Sequence, residues 1–300
     1  MSDKKRKQHF VWEHYLTEWA RAGHLYCDRE GAPFPAATGN VAHERDFYRV
    51  HDLSDQDIAY VRAIAGRLPA PGPILAQSWI EFFQRPTKLR RLYESGAARS
   101  AEVEDKLDVL YNNLEEELHC KFETDAIPLL ASLKKRDASA LSHEIMGQSA
   151  MMFLAFQYQR TPRMVNGIAG LDAADLPGFN IEAANGVLRA IYATVLANWM
   201  YVRQDKVLAT FLVADATHGF ITGDQPVINT RAIAGDNTTA EFYYPLSPAL
   251  ALLLSFGAGQ PTAREIVLSA EETRRYNQLI VSSRDKLVFA ASKADLDASM

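Results

Sequence analysis

The sequence predicts an α+β protein that is predominantly helical over its first two-thirds and has a small antiparallel sheet plus one helix in its last third. Between residues 101 and 204, apolar side chains recur at steps of three and four, the spacing of one helical face. After residue 206, short apolar runs alternate with turn-forming residues, as strands do. Helices followed by strands indicate α+β rather than a doubly wound fold. We expect a single domain over 1–300, with an N-terminal segment and helical part at about 1–205 and a sheet-rich part at about 206–295.

Extended pieces and two helices are predicted in the first hundred residues. Residues 1–50 mix aromatic residues, histidines and turn formers such as Gly31–Pro35, so we expect short extended segments there. Ser54 is an N-cap residue that opens a short helix ending near Leu68. Pro69–Pro73 is the clearest breaker in the chain, and a second helix then runs from about Ile74 to Tyr93.

Three longer helices are predicted next. The first runs from Ala101 to about Leu133, and Pro128 is expected to kink or end it. The second, from about Ser142 to Pro162, is apolar on nearly every side and should therefore be central. The third runs from about Ile181 to Gln204.

The last third of the sequence has the pattern of short strands. Val207–Ala214 and Gly219–Thr222 flank Asp215–His218, which predicts a hairpin. The remaining predicted elements are strands at Phe242–Tyr244, Ala249–Ser255 and Glu265–Leu268, a helix at Ala270–Ser283 and a final strand at Leu287–Ala291.

Composition excludes several classes of protein. The net charge of −5 argues against a protein that coats nucleic acid through a global basic field. Cys27 and Cys120 lie far apart, which excludes a disulfide framework or a zinc finger and suits a reducing cytoplasm. The most apolar stretches, 151–158 and 246–256, are too short to span a bilayer, and no secretory signal follows Lys4–Lys7. We therefore expect a cytoplasmic protein with no membrane partner.

The sharpest polar anomaly lies at the end of the apolar helix at 142–162. Gln157, Arg160 and Thr161 share one helical face because they are three and four residues apart. A buried arginine must be paired or must face a cleft, since an unpaired buried charge is very costly. Arg160 could therefore satisfy carbonyls or an acidic partner, or it could present its planar fork to a phosphate or carboxylate.

Asp224 and His9 are two further candidates. Asp224 follows a short apolar strand where the chain turns before Pro226, which suits either a ligand-binding carboxylate or a turn closed by its own side chain. His9, in the same N-terminal segment as Tyr15, could transfer a proton near neutral pH. The alternative for His9 is an exposed histidine with no role.

An acidic stretch raises the question of a metal. Glu116 and His119 have the spacing found in carboxylate-bridged di-iron bundles, and Glu115, His119 and Glu123 could line one helix face. Such a site needs a second helix of the same kind, which the sequence lacks. We therefore predict no metal site, with Glu116, His119 and Glu123 as the candidate ligands if one exists, and a solvated acidic face as the alternative.

Five segments spread along the chain carry a specific combination of residues. They are Lys7–Val11 with Tyr15 and Leu16, Gln157 with Arg160–Pro162, Thr222–Pro226, Pro245–Pro248, and Asn277 before Val288 and Phe289. In order and spacing, over nearly the whole chain, they resemble the bacterial family called domain of unknown function 4238. Two features depart from the family pattern: Trp12 replaces a usual proline, and Gly223 and Gln225 replace the serine and asparagine beside Asp224.

The resemblance supplies no activity, but it draws attention to a polar set. A family signature rich in histidine, glutamine, arginine, aspartate and asparagine is what a functional site would leave, whereas a scaffold would leave mostly apolar and glycine positions. The set consists of His9, Glu123, Gln157, Arg160, Thr161, Asp224, Ser247 and Asn277.

Three functions are compatible with this set. The favoured one is an enzyme acting on a phosphate-bearing small molecule or RNA, a nuclease or nucleotide hydrolase and, by analogy, a toxin or phage-defence effector. Arg160 would bind the phosphate, His9 would transfer a proton, and Asp224 would orient His9 or hold a divalent cation. Substrate would be bound by Gln157, Thr161, Ser247 and Asn277. No glycine-rich phosphate loop, GxSxG or HExxH motif is present, which disfavours P-loop hydrolases and zinc proteases.

The alternatives are a non-catalytic ligand-binding or sensor module, and a structural protein in which Arg160 and Asp224 pair to hold the helical part on the sheet. The enzyme hypothesis requires His9, Arg160 and Asp224 to converge in one open cleft.

Overall fold

The computed structural model of the protein describes residues 3–96, 99–170, 176–236, 238–257 and 262–300. Its helices are α1 (Glu13–Leu16), α2 (Asp55–Gly66), α3 (Gly72–Phe83), α4 (Arg85–Ser95), α5 (Ala101–Lys134), α6 (Ser139–Ser142), α7 (Glu144–Gln159), α8 (Pro162–Ala169), α9 (Ile181–Tyr201), α10 (Thr230–Ile233), α11 (Ala270–Ser283) and α12 (Lys293–Ser299). Its strands are β1 (Lys7–His9), β2 (His24–Arg29), β3 (Ala32–Ala37), β4 (His43–Arg45), β5 (Val207–Val213), β6 (Thr222–Gly223), β7 (Ile228–Asn229), β8 (Glu241–Ser247), β9 (Leu250–Phe256), β10 (Thr262–Val267) and β11 (Leu287–Ala290). The chain is therefore α+β, as predicted.

Helix α7 lies at the centre of the helical part. Helix α7 packs against α9 and α5, and α3 packs against α9. Met151, Phe153 and Leu154 of α7 are buried, which confirms the central position expected from its apolar sequence. None of the helices in the described ranges combines the length and the apolar content needed to cross a bilayer.

A five-stranded sheet packs against the helices and shares a hydrophobic core with them. Its strand order is β10-β5-β9-β8-β7, and β10 runs parallel to β5 while the other neighbours are antiparallel. Helix α5 contacts β8. Since β8 and β9 are buried along most of their length, their sequences are near-continuous apolar runs.

A four-stranded sheet joins segments from opposite ends of the chain. Its order is β3-β2-β11-β6, with Phe289 of β11 between Cys27 of β2 and Thr222 of β6. A separate two-stranded pair, β1 with β4, places His9 opposite His43. The expectation of one small antiparallel sheet confined to the last third is therefore wrong, because strands of the first fifty residues complete a sheet with the last ones.

The predicted hairpin around Asp215–His218 is also wrong. β5 pairs with β9 and β10, whereas β6 pairs with β11. Asp215 Oδ1 instead accepts hydrogen bonds from the backbone and hydroxyl of Thr217 in a local turn. An apolar run, a turn and a second apolar run indicate strands but do not specify which strand each one pairs with.

One predicted helix is divided in the structure, and another has the predicted bounds although it contains a proline. The single helix expected at 74–93 is two helices, α3 and α4, which meet at Gln84, with Pro86 in the first turn of α4. Helix α5 does not end at Pro128 but continues to Lys134, close to the predicted end at Leu133. Leu129, Leu130 and Leu133 are buried beyond the proline, and this packing holds the helix together where a hydrogen bond is lost.

Candidate functional site

Gln157 and Arg160, at the end of α7, hold the N-terminal segment. Gln157 Nε2 and Arg160 Nε both donate to the Phe10 carbonyl at 3.1 Å. Arg160 Nη2 donates to Glu123 Oε1 of α5 at 2.6 Å, and the Tyr48 hydroxyl donates to the Arg160 carbonyl at 3.3 Å. The shared face of Gln157 and Arg160 therefore contacts the protein's own backbone and a carboxylate.

Arg160 is only 3% exposed, so its charge depends on the partner that the fold provides. That partner is Glu123, and the direct Arg160–Asp224 pair of the structural hypothesis is wrong. Of the two interpretations left open by the sequence, this geometry corresponds to an arginine that satisfies a carbonyl and an acidic partner.

Thr161 connects the end of α7 to the segment after β6. Its hydroxyl donates to Gln225 Oε1. Gln225 Nε2 donates in turn to the carbonyls of Tyr158 and Val227, at 3.1 and 2.8 Å. Gln225, one of the departures from the family pattern, thus bridges two parts of the chain.

Asp224 binds the backbone that leads into β11. Its carboxylate accepts hydrogen bonds from the N–H groups of Asp285, Lys286 and Leu287, at 2.9, 2.6 and 2.7 Å. Asp224 is 2% exposed, and burial raises its pKa although the three N–H donors act in the opposite direction. The carboxylate contacts a remote turn, not the backbone two residues on.

Asn277 and Ser247 also contact the backbone. Asn277 Oδ1 accepts from the Ile221 N–H at 3.0 Å, and its Nδ2 donates to the Gly219 carbonyl at 3.0 Å. Asn277 therefore fixes the approach to β6. Ser247 Oγ accepts from the Ala249 N–H at 3.3 Å, which closes the turn between β8 and β9.

His9 is the last residue of β1, the strand that pairs with β4. Its ring lies edge-on to that of His43, with 5.2 Å between the ring centroids. Burial lowers the pKa of His9 to about 4, with His43 as a second cause, so the imidazole is neutral at pH 7. The His9 carbonyl accepts from the Tyr48 hydroxyl at 3.4 Å, which also reaches the Arg160 carbonyl.

The structure therefore brings some of the predicted residues together and separates others. Gln157 and Arg160 share a partner, and Arg160 binds Glu123. Within the described ranges, no hydrogen bond or ion pair joins the side chains of His9, Arg160 and Asp224 to one another. Gln157, Arg160, Thr161, Asp224 and Asn277 connect segments distant in sequence, whereas Ser247 closes a local turn.

The candidate metal ligands have other partners. Glu123 binds Arg160, and His119 Nε2 lies 3.3 Å from Glu115 Oε1. Burial lowers the pKa of His119 to about 4 and raises that of Glu116 to about 7. Among the residues that the structure describes, no group of three or more histidine, cysteine, aspartate or glutamate side chains is arranged to hold a metal ion.

A second buried arginine, Arg189, lies on α9. Its Nη2 is 2.7 Å from Glu115 Oε1, and its Nε donates to Asn185 Oδ1 at 2.9 Å. Arg189 is 5% exposed, and its Nη1 has no hydrogen-bond partner in the described part of the chain. Gly186 permits this close approach, since a Cβ there would lie 2.7 Å from Glu115 Oε2 and 2.9 Å from the Phe83 ring.

These side chains line a cavity of about 480 Å³ between α5, α9 and the segment joining β4 to α2. Its charged and titratable lining residues are Asp46, Arg49, His51, Glu115, Glu182 and Arg189. Its apolar lining includes Phe47, Val50, Leu53, Phe83, Val165 and Ile181. Asp46 has a φ of +55°, uncommon for a residue with a side chain, and its buried Oδ1 also has no hydrogen-bond partner among the described residues.

Sequence reasoning missed Arg189 and Asn185. The two are four residues apart on an apolar helix, which is the same signal that drew attention to Gln157, Arg160 and Thr161. Glu115 was considered as a metal ligand because it lies four residues before His119. Its true partner is on a helix that follows some seventy residues later, and no local spacing points to it.

The fold and the site together define an α+β protein in which buried polar residues connect distant segments and a cavity with mixed charges lies beside one of the buried arginines. A family model described as "Protein of unknown function (DUF4238)" matches residues 7–294. The chain therefore belongs to that family, as the resemblance indicated. No curated protein and no solved structure matches the chain.

Proposed function

We propose that the protein binds a small molecule carrying both hydrogen-bond acceptors and donors in the cavity beside Arg189. The observation that carries this proposal is the cavity of about 480 Å³, whose lining combines the guanidinium groups of Arg49 and Arg189 with the carboxylates of Asp46, Glu115 and Glu182. A guanidinium only donates hydrogen bonds and a carboxylate only accepts them, so this lining suits a molecule that offers both acceptors and donors.

The mixed lining charge narrows the class of ligand. Arg49 and Arg189 are accompanied by Asp46, Glu115 and Glu182 around the same cavity. A purely anionic polymer such as RNA would be repelled by the three carboxylates. A molecule with both signs of charge, such as an amino acid, suits this lining better, and the volume lies within the usual range for small-molecule sites.

The hydrolase hypothesis has less support. It assigns phosphate binding to Arg160, whose Nε and Nη2 bond to Phe10 and Glu123. It also assigns orientation of His9 or a cation to Asp224, whose two oxygens accept three backbone N–H groups. Phosphate-ester cleavage by a nuclease or nucleotide hydrolase therefore stays our second proposal, and the ligand-binding module is the first.

A cavity-filling substitution tests the binding proposal. Ala183 is half-buried on α9 and lines the cavity, so Ala183→Leu adds volume without removing Arg189 or Glu115. Ala131→Leu is the matched control, because Ala131 is exposed on helix α5. Amino acids, nucleoside monophosphates and sugar phosphates would be screened by thermal shift, and hits quantified by calorimetry. We expect wild type and Ala131→Leu to bind the same compound equally and Ala183→Leu to bind it at least about tenfold more weakly.

The binding proposal is contradicted if no compound class raises the melting temperature, or if Ala183→Leu binds as wild type does. The same three proteins and Arg160→Lys, incubated with RNA and nucleotides with and without Mg²⁺, separate binding from turnover. Product formation that Ala183→Leu abolishes would place an enzyme at this cavity, whereas product formation unchanged in Ala183→Leu and lost in Arg160→Lys would support the hydrolase hypothesis.

A further inference from the structure

One face of helix α4 packs against the rest of the protein, and another face is exposed. On the inner face, Pro86 and Thr87 are buried, and the Thr87 hydroxyl donates to Asp52 at 2.6 Å. Arg90 lies 3.6 Å from the other Asp52 oxygen and stacks over Tyr111, 4.1 Å from the ring centroid. These contacts hold α4 in place. Arg90, one of the four cationic residues of α4, takes part in them.

The outward face carries the other three cations and two leucines. Arg85, Lys88 and Arg91 are exposed, as are Leu89 at 49% and Leu92 at 70%. Steps of three and four residues place them on adjoining positions of one helical face. None of the three cations forms an ion pair within the described ranges, although Arg85 lies over the Phe82 ring. No acidic residue interrupts the stretch from Arg85 to Tyr93.

We propose, in contrast to the expectation of no membrane partner, that this face of α4, defined by Arg85, Lys88, Leu89, Arg91 and Leu92, docks on an anionic lipid surface. Although the chain as a whole has a net charge of −5, the cations on this helix face form a locally positive surface. Such a surface attracts a negatively charged partner. Lipid phosphates and serine headgroups supply the opposite charge, and the acyl boundary takes the leucines.

The leucines decide between lipid and nucleic acid. A nucleic-acid backbone would be bound by the three cations, but it offers an exposed Leu92 nothing to pack against. A bilayer interface buries apolar side chains while neighbouring lysine and arginine side chains extend to the headgroups. A face that combines both types of side chain therefore favours the bilayer.

Vesicle flotation of the full-length protein tests this surface. We expect the protein to float with vesicles of equal parts phosphatidylcholine and phosphatidylserine at low salt, and to remain unbound with pure phosphatidylcholine. The double variant Lys88→Glu/Arg91→Glu should bind more than about tenfold less well, since each cation near an anionic surface contributes and reversal adds repulsion. The variant Leu89→Ser/Leu92→Ser should also bind less well, and its binding to the vesicles should fall more steeply as the salt concentration rises.

The matched control reverses the same amount of charge elsewhere. Lys206 and Lys293 are exposed and distant in sequence from α4, so Lys206→Glu/Lys293→Glu should float as wild type does. Near-ultraviolet circular dichroism confirms that all variants are folded. Absence of flotation, equal flotation with both vesicle types, or equal loss in the control would overturn the proposal, as would binding of a single-stranded RNA without binding of vesicles. These outcomes do not bear on the cavity, which involves other residues.

Discussion

Arg160 joins three parts of the chain through two side-chain nitrogens and its own carbonyl. Its guanidinium binds the N-terminal segment at Phe10 and helix α5 at Glu123, and its carbonyl accepts from Tyr48. The carboxylate of Glu123 is itself largely buried. Removing the arginine would leave an uncompensated charge in a place that water reaches poorly.

We therefore expect Arg160→Ala to lower the free energy of unfolding by about 3–5 kcal/mol. Urea denaturation followed by circular dichroism measures this change. Arg67→Ala is the control, since Arg67 is exposed at the end of α2 and should change stability by less than about 0.5 kcal/mol. A loss in Arg160→Ala no larger than that of the control would show that the buried ion pair does not support the fold.

Glu116 makes the free energy of unfolding depend on pH. Burial raises its pKa from 4.5 to about 7, so between these values the folded state holds a proton that the unfolded state has released. The contribution of Glu116 to stability is therefore full at low pH and falls as the pH rises toward about 7. Glu116→Gln keeps the side chain neutral and removes this decline.

We expect the free energy of unfolding of Glu116→Gln, relative to wild type, to increase by on the order of 1–3 kcal/mol between about pH 5 and about pH 8. Urea titrations at several pH values measure the difference. The opposite trend from His9 and His119, whose pKa values are lowered, is present in both proteins and cancels. A difference that does not vary with pH, or one equally present in the exposed Glu104→Gln, would refute the assignment.

At the scale of elements, the approach of α9 to α5 requires a residue without a side chain. Glu115 is held by Arg189 and His119, so it cannot move aside for a Cβ at Gly186. Gly167, inside α8, has no atom within 4 Å of the position that a Cβ would occupy. The same substitution at these two helical glycines should therefore have opposite effects.

We expect Gly186→Ala to destabilise the protein by about 1–3 kcal/mol through overpacking, and Gly167→Ala to stabilise it by about 0.5–1 kcal/mol through lower backbone entropy in the unfolded chain. Thermal and urea unfolding of the two variants side by side measure both signs. A stabilising Gly186→Ala would mean that α9 and α5 are less closely packed than the contacts indicate.

At the scale of elements, too, the sequence predicted helices better than sheets. The helix at Ala270–Ser283 has the predicted bounds because a capping box at Ser269 and Glu272 marks its start in the local sequence. The sequence predicts that Pro128 kinks or ends the long helix α5, but the helix continues to Lys134, because buried leucines beyond the proline offset the lost hydrogen bond. Helix signals are local, so only packing from elsewhere can override them.

At the scale of the whole molecule, strand β2 near the start of the chain pairs with β11, the last strand. β2 and β3 extend the sheet that contains β11 and β6, and Asp224 and Asn277 bind the backbone on either side of that junction. Most of the polar residues that the sequence singled out, Ser247 excepted, are therefore found where distant segments meet. The expectation that they matter is consistent with these contacts, and their predicted catalytic roles stay predictions.

By itself the sequence determined the α+β class, the position of most helices, the central place of α7 and membership of the family. These depend on the spacing of apolar residues and on local motifs, which are legible along the chain. Only the tertiary structure decided that Glu123 pairs with Arg160, that Glu115 pairs with Arg189, and which strands are neighbours. A buried charge must find a partner, but the requirement for one carries no information about where along the chain that partner lies.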